Sequence, residues 1–299
     1  MLHFLPAPLR GVISALLLAL NTLICCWPLF TVALLKLLLP FPAAQRVLRT
    51  VMHGIAEFWI GVNKFWMNLV RDTRWDVEGI QGLDMRHSYL VTSNHQSWVD
   101  ILVLQYLLNR RMPLLKFFLK QELIWVPFLG LAFWALDYPF MKRYSKAYLA
   151  RHPEMAGQDL EITKRACARF KDLNVTVVNY LEGTRFTAAK QAQQGSPYQH
   201  LLKPKAGGVA FTLATLGPQL DALLDVTLVY PGQRAPGFWK LISGQVPKVI
   251  MDIRTRELDP ALWAGDYQGD AEFRQYVQAW VSQLWQDKDT RIAELKREL

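Results

Sequence analysis

From Gly11 to Leu35 the chain carries no charged residue. As a helix rising ~1.5 Å per residue, such a run is long enough to cross a hydrocarbon core. Pro28 lies inside it, and either kinks one spanning helix or divides two shorter helices that dip into the bilayer and return. Pro40 and Pro42 end the run. From Arg46 to Arg71 the apolar positions Val47, Leu48, Val51, Ile55, Phe58, Trp59, Val62, Phe65, Trp66 and Leu69 recur at three- and four-residue steps. That spacing predicts an amphipathic helix. Its cations Arg46, Arg49, Lys64 and Arg71 either meet lipid headgroups or flank a helix packed on the core of its own domain.

Beyond Trp75 strand-like and helix-like runs alternate. Strands are predicted at Trp75–Val77, Tyr89–Ser93, Val175–Leu181, Val226–Tyr230 and Val246–Ile253. Helices are predicted at Trp98–Leu108, Gln158–Lys171, Ala206–Leu216 and Ala271–Trp285, the last with an extension through Glu294 in view. The alternation predicts an α/β fold: a central, mostly parallel sheet flanked by helices, preceded by a membrane-associated helical segment. The division expected is 1–71 for the anchor and amphipathic helix and 72–299 for the catalytic domain. Leu123–Leu136 holds a dense apolar run with no charge, too short to span a bilayer. A buried helix is the favoured reading, with an acyl tunnel lining or a membrane contact as alternatives. Gln191–Tyr198, polar with Gly195 and Pro197, reads as a surface loop. The tail after Ile253 carries no assignable motif.

Composition sharpens the membrane reading. The chain of 299 residues is 52% hydrophobic, with eleven Trp and ten Tyr, and its mean hydropathy is +0.08. A net charge of +9 suits an anionic partner, and the apolar N-terminus makes anionic membrane lipid the expected one. The cations are dispersed and no basic-aromatic nucleic-acid motif stands out, so a nucleic-acid partner is not expected. Arg10 precedes the apolar run, and Lys36, Arg46 and Arg49 follow it, which would place the chain after Leu35 in the cytoplasm. The run is too long for a cleaved signal peptide, and no small-residue cleavage pattern follows it. Cys25, Cys26 and Cys167 form neither a disulfide framework nor a zinc spacing, so no metal is expected.

Candidate chemistry starts at Asn94-His95-Gln96-Ser97-Trp98-Val99-Asp100. Histidine titrates near neutral pH and can take a proton from a hydroxyl. A carboxylate within reach can fix its tautomer and stabilise the imidazolium. Five residues of ideal helix would hold the two side chains apart, so the pair requires His95 in the turn and Asp100 in the first helical turn behind it. Alone, a His-x-x-x-x-Asp spacing is weak. Three further segments put cations at loops: Asp137–Arg143, Leu181–Arg185 and Lys203–Gly208. Arginine forks and helix N-termini both suit a phosphate. No Gly-x-Ser-x-Gly elbow is present, which speaks against a serine hydrolase.

Together and in this order, the segments resemble the glycerolipid acyltransferase family, specifically the 1-acylglycerol-3-phosphate acyltransferases and related lysophospholipid acyltransferases. Asn94-His95…Asp100 matches the first block, Phe140-Met141-Lys142-Arg143 the second, Glu182-Gly183-Thr184-Arg185 the third, and Val226–Pro231 looks like the fourth. The resemblance covers about Trp75 to Pro231. In the second block, Leu136-Asp137-Tyr138-Pro139 precedes Phe140 where a glycine is frequent, which bears on the identity of the acceptor.

The resemblance implies that His95 is the general base on the acceptor hydroxyl and Asp100 its orienting partner. The acyl donor would be acyl-CoA or acyl carrier protein, and the acceptor a lysophospholipid, with no other cofactor and no metal. Arg143 and Arg185 would hold the acceptor phosphate. Glu182 and Gly183 would shape the acceptor pocket, Glu182 by bonding a hydroxyl or an arginine, with Phe140 and Thr184 beside them. Lys205 joins this set from its charge and its place before a helix. The expected location is a bacterial inner membrane, with the active site facing the cytoplasm.

Overall fold

The computed structural model describes residues 4–70, 73–141, 151–152, 165, 167–168, 170, 173–232 and 235–298. The apolar N-terminus forms one helix, α1 (Ala7–Leu38), which runs through Pro28 without dividing. It is long and apolar enough to cross a membrane. A three-residue turn leads into α2 (Pro42–Val70), and the two pack as an antiparallel hairpin. Polar side chains set its register: Asn21 Nδ2 donates to Asn63 Oδ1 at 2.7 Å and to the Trp59 carbonyl at 3.0 Å. The small residues Gly11, Ser14 and Ala33 are buried along α1, while Leu16, Leu20, Ile24 and Trp27 are exposed.

Among the described residues eight strands follow: β1 (Arg74–Glu78), β2 (Tyr89–Ser93), β3 (Leu115–Phe117), β4 (Leu119–Lys120), β5 (Phe140–Met141), β6 (Thr176–Asn179), β7 (Ala222–Val229) and β8 (Lys248–Arg256). Six form the central sheet in the order β1-β8-β7-β2-β6-β3, and β4 pairs with β5 apart from it. All pairings are parallel except β7 with β8. Every residue of β2 and β7 is buried, as expected of strands covered on both faces. Their side chains alternate between two clusters. Tyr89, Val91, Leu224, Val226 and Leu228 face the side covered by α1, α2, α3 (Val99–Leu108) and α4 (Leu129–Ala135). Leu90, Leu223 and Val229 face α6 (Ala206–Leu216) and α8 (Ala271–Arg297), which come after a short α5 (Ala188–Gln194). The remaining helix, α7 (Phe238–Ile242), packs against α1.

Three expectations change. Gln191–Tyr198 is not simply a loop, because α5 occupies its start. Thr187 caps that helix by accepting from the Lys190 N–H, and Gly195 ends it in the left-handed conformation at φ 54°. Leu123–Leu136 is not one buried helix. Pro127 separates a 3₁₀ turn (Gln121–Trp125) from α4, and Trp125, Phe128, Leu131 and Trp134 are exposed. Of the cations expected at lipid headgroups, Arg49 lies 3.9 Å from Asp137 and Lys64 sits over the Tyr106 ring, so both face protein. Arg71 and most of the expected helix Gln158–Lys171 lie outside the described residues.

Candidate active site

Parallel pairing of β2 with β6 and with β7 brings the carboxyl ends of all three strands to one edge of the sheet. Loops at such an edge are where open α/β sheets place their ligands. The first block leaves β2, the third leaves β6, and the fourth ends β7. Sequence-distant segments thereby meet at one place.

Asn94 starts the turn and fastens it. Its side chain donates to the Leu228 carbonyl and accepts from the Leu228 N–H, each at 2.9 Å, so it pairs with β7 as a strand backbone would. Ser97 donates through Oγ to the Pro236 carbonyl at 2.5 Å. Between these anchors His95 Nδ1 lies 2.8 Å from Asp100 Oδ2. Asp100 is fully buried in the first turn of α3, where the helix N-terminus favours a carboxylate. The N–H groups of Gln96 and Ser97 donate to the same Oδ2 at 2.6 and 2.8 Å, and Tyr230 donates to Oδ1 at 2.7 Å. A buried carboxylate with four donors is satisfied, and it fixes the Nδ1–H tautomer of His95. The Nε2 lone pair is then left to receive a proton. Tyr180 stacks on the imidazole with ring centroids 4.1 Å apart, and limits its rotation. Burial raises the phenols of Tyr180 and Tyr230 well above their ordinary range, so both stay protonated.

Glu182 is fully buried. It binds backbone on both oxygens: His95 N–H donates to Oε1 at 3.0 Å and Leu202 N–H to Oε2 at 3.3 Å. Burial lifts its pKa to about 8 against these two bonds. Phe186 N–H donates to the His95 carbonyl at 2.7 Å, so the third block grips the first from both sides of His95. Gly183 takes φ 66° to close this turn, and a side chain there would press on Lys205. Lys205 and Arg185 are exposed, and the Arg185 guanidinium lies 5.4 Å from the Trp98 ring centre. Thr184 Oγ1 accepts from Lys190 Nζ at 2.8 Å. Phe140 sits in β5, paired with Leu119 and partly buried against the core. Arg143 lies outside the described residues.

Beside this constellation is an apolar cavity of about 550 Å³. Its walls include Leu18 and Thr22 of α1, Trp59 of α2, Ile101 of α3, and Val126 and Phe133 of the 3₁₀–α4 segment. Two residues join cavity to site. Phe117 lines the cavity and stacks on Tyr180, and Trp98 lines it and lies under Arg185. Tyr230, Tyr180, Trp98 and Lys190 were not among the site residues expected from sequence. Two of them had a signal: Trp98 lies inside the first block, and Tyr230 precedes Pro231 in the fourth.

The chain is similar to known acyltransferases. The chain is 25% identical to a 1-acyl-sn-glycerol-3-phosphate acyltransferase 3 of Arabidopsis thaliana over 235 residues, 73% of this chain and 59% of the relative. It is 25% identical to the human 1-acyl-sn-glycerol-3-phosphate acyltransferase gamma over 248 residues, 75% of this chain and 60% of the relative. It thus spans about three-fifths of the length of these relatives. The crystal structure of the 1-acyl-sn-glycerophosphate (LPA) acyltransferase PlsC from Thermotoga maritima superposes with a TM-score of 0.51 at 17% identity, covering 93% of this chain and 98% of that one, which establishes the shared fold. Residues 74–230, more than half of the chain and the stretch that carries all four blocks, match the Acyltransferase family, and the chain belongs to that family.

Proposed function

We propose that this chain is a membrane-bound O-acyltransferase. It moves a fatty acyl group from acyl-CoA or acyl carrier protein to the free hydroxyl of a lysophospholipid, foremost 1-acylglycerol-3-phosphate, giving phosphatidic acid. The observation that carries the reading is the His95–Asp100 pair at 2.8 Å beside an apolar cavity of about 550 Å³. That volume is in the range of small-molecule sites, about 300–1,000 Å³, and its lining suits a fatty chain.

In this reading His95 Nε2 accepts the acceptor's hydroxyl proton as the oxygen attacks the thioester carbonyl. The carbon–sulfur bond breaks, an ester forms, and the imidazolium returns the proton to the leaving thiolate. General base catalysis of this kind supplies roughly 10²–10⁴-fold, and holding the two reactants in line supplies much of the rest. Arg185 and Lys205, with Arg143, bind the acceptor phosphate. The apolar helix α1 and the exposed apolar side chains of the hairpin hold the chain at the membrane. A bacterial inner membrane, with anionic lipids and the site on the cytoplasmic side, suits the cations that follow α1.

The test is mass-spectrometric product analysis of the purified chain with a panel of lysophospholipids, acyl-CoAs and acyl carrier protein thioesters. Phosphatidic acid formed fastest is the expected result. Faster acylation of another headgroup would reassign the acceptor, and no acylated product from any member of the panel would overturn the reading.

A further inference from the structure

Residues 123–135 are apolar on both faces of the segment. Leu123, Val126, Leu129 and Phe133 line the cavity. On the outside, Trp125 is 84% exposed, and Phe128, Leu131 and Trp134 are each 44–50% exposed. Large apolar groups gathered in this way mark an interaction surface.

The protrusion has a built shape. Phe128 adopts φ 61°, a conformation that a bulky residue rarely takes, and does so while presenting its ring to the outside. Gly130 permits the 3₁₀ turn and α4 to close on each other, since a side chain there would come within 2.1 Å of the Ile124 carbonyl oxygen. The Gly130 N–H also donates to the Val126 carbonyl at 2.8 Å. A glycine would adopt the Phe128 backbone without strain, so the aromatic ring is held outward at a conformational cost that packing does not explain.

What covers this surface follows from its neighbours. Both α4 and α7 pack against α1, the helix that is long and apolar enough to cross a bilayer. Leu16, Leu20, Ile24 and Trp27 of α1 and Phe238 and Trp239 of α7 are exposed as well. Indole rings are at home in the interfacial zone of a bilayer. Three residues of the cavity wall, Trp98, Val126 and Phe238, are themselves substantially exposed, so the cavity opens on this side.

We propose that the Trp125–Trp134 protrusion is a second bilayer contact besides the helical hairpin, seated in the lipid interfacial zone. The cavity opens beside it, and an acyl chain passes sideways between the bilayer and the cavity. The sideways passage rests on the acyl-transfer reading above, whereas the bilayer contact does not.

The test uses the full chain in vesicles of phosphatidylethanolamine and phosphatidylglycerol. A nitroxide is placed at Phe128→Cys and, as a control, at Gln286→Cys, an exposed position of α8. The native Cys25, Cys26 and Cys167 are buried, so the introduced thiol takes the label. Site 128 is expected to collide with oxygen in preference to a water-soluble nickel chelate, and site 286 the reverse. Equal chelate access at both sites overturns the contact. So does spin–spin broadening at site 128, which would assign the surface to a second copy of the chain. In the functional arm, Trp125→Ser with Phe128→Gly is expected to slow transfer to a vesicle-embedded acceptor about tenfold, and to leave transfer between water-soluble short-chain substrates within about twofold. An unchanged rate on vesicles, or an equal loss on both substrates, overturns the sideways passage. If the unaltered chain acylates nothing, the functional reading and the passage fail together, while the nitroxide depths still decide the bilayer contact.

Discussion

Tyr230 donates its hydroxyl hydrogen to Oδ1 of Asp100 at 2.7 Å, the carboxylate oxygen that His95 does not use. The tyrosine before the closing proline of the fourth block is therefore tied to the last residue of the first. Asp100 is held from the β7 side by a phenol and from its own turn by two backbone N–H groups. The imidazole inherits that fixed orientation.

Tyr230→Phe removes one donor from a buried charge with almost no change of shape. Hydrogen bonds to charged groups contribute about 1.5–3 kcal/mol. A loss of that size in the transition state lowers kcat/KM by about 10- to 100-fold. Steady-state rates on the best acceptor measure it. A rate within twofold of the unaltered chain would mean that Asp100 keeps its place without the phenol.

His95 and Asp100 should separate in their effects on activity and stability. Among the described residues the His95 ring hydrogen-bonds Asp100 alone, and it is 15% exposed, so His95→Ala leaves the buried carboxylate three other donors. Activity is expected to fall by roughly 10²–10⁴ with only a small change in Tm. Asp100→Asn leaves one acceptor oxygen where the carboxylate accepted from four donors, three of them at Oδ2. Disrupting a buried charged network costs on the order of 3–5 kcal/mol. With about 2–4 °C of Tm per kcal/mol for a chain of this size, Asp100→Asn should melt many degrees lower. Calorimetry of the two variants side by side decides it, and equal melting temperatures would remove the structural role given to Asp100.

Much of this was legible in the sequence, for physical reasons. β2 and α6 stand where apolar runs bounded by turn residues placed them, because fully buried strands and helices leave unbroken apolar stretches. β3 was not legible. It has three residues, and its middle one, Lys116, is charged yet buried, with Nζ donating to the Leu136 carbonyl at 2.6 Å. Burial draws that lysine down to about 7, an effect of tertiary surroundings that no local pattern carries. Glu182 shows the same limit within the site. Its place in the third block was readable, but its partners are backbone N–H groups of His95 and Leu202, 87 and 20 residues away, and backbone donors have no sequence signature. Pro28 left two readings open from sequence, one helix or two, and it sits in an unbroken helix.

Lys205 lies against Gly183, Arg185 follows that turn by two residues, and both are exposed, where charges act chiefly on binding. Arg185→Ala is expected to raise KM for a phosphomonoester acceptor by about 3- to 10-fold, and to leave KM for an uncharged lysoglycerolipid within about twofold. Lys205→Ala should act in the same direction but less, since a point charge cannot bond two phosphate oxygens as an arginine fork does. Kinetics with the two acceptors measures both. An equal rise for both acceptors would take the phosphate away from Arg185.

Glu182 makes a pH prediction whose sign follows from burial. Its pKa is raised from 4.5 to about 8, so the folded chain holds a proton there that the unfolded chain has lost. Between those values the folded state binds more protons, and stability from this group falls as pH rises. Below about 4.5 both states are protonated and the contribution is flat; above about 8 the full cost of a buried carboxylate is present. Lys116 works against it above pH 7, because its lowered pKa makes the folded state the less protonated one there. The clean measurement is therefore a difference, Tm against pH for the unaltered chain and for Glu182→Gln, in which Lys116 cancels. Glutamine is neutral at every pH, so the variant should lose less Tm than the unaltered chain as pH rises from about 5 to 8. Its activity should be lower at all pH values, because one of the His95 and Leu202 N–H groups then meets an amide donor instead of a carboxyl oxygen. Parallel Tm curves across that range would show that Glu182 keeps one protonation state on folding, and that the grip of the third block on His95 is the same from acid to neutral pH.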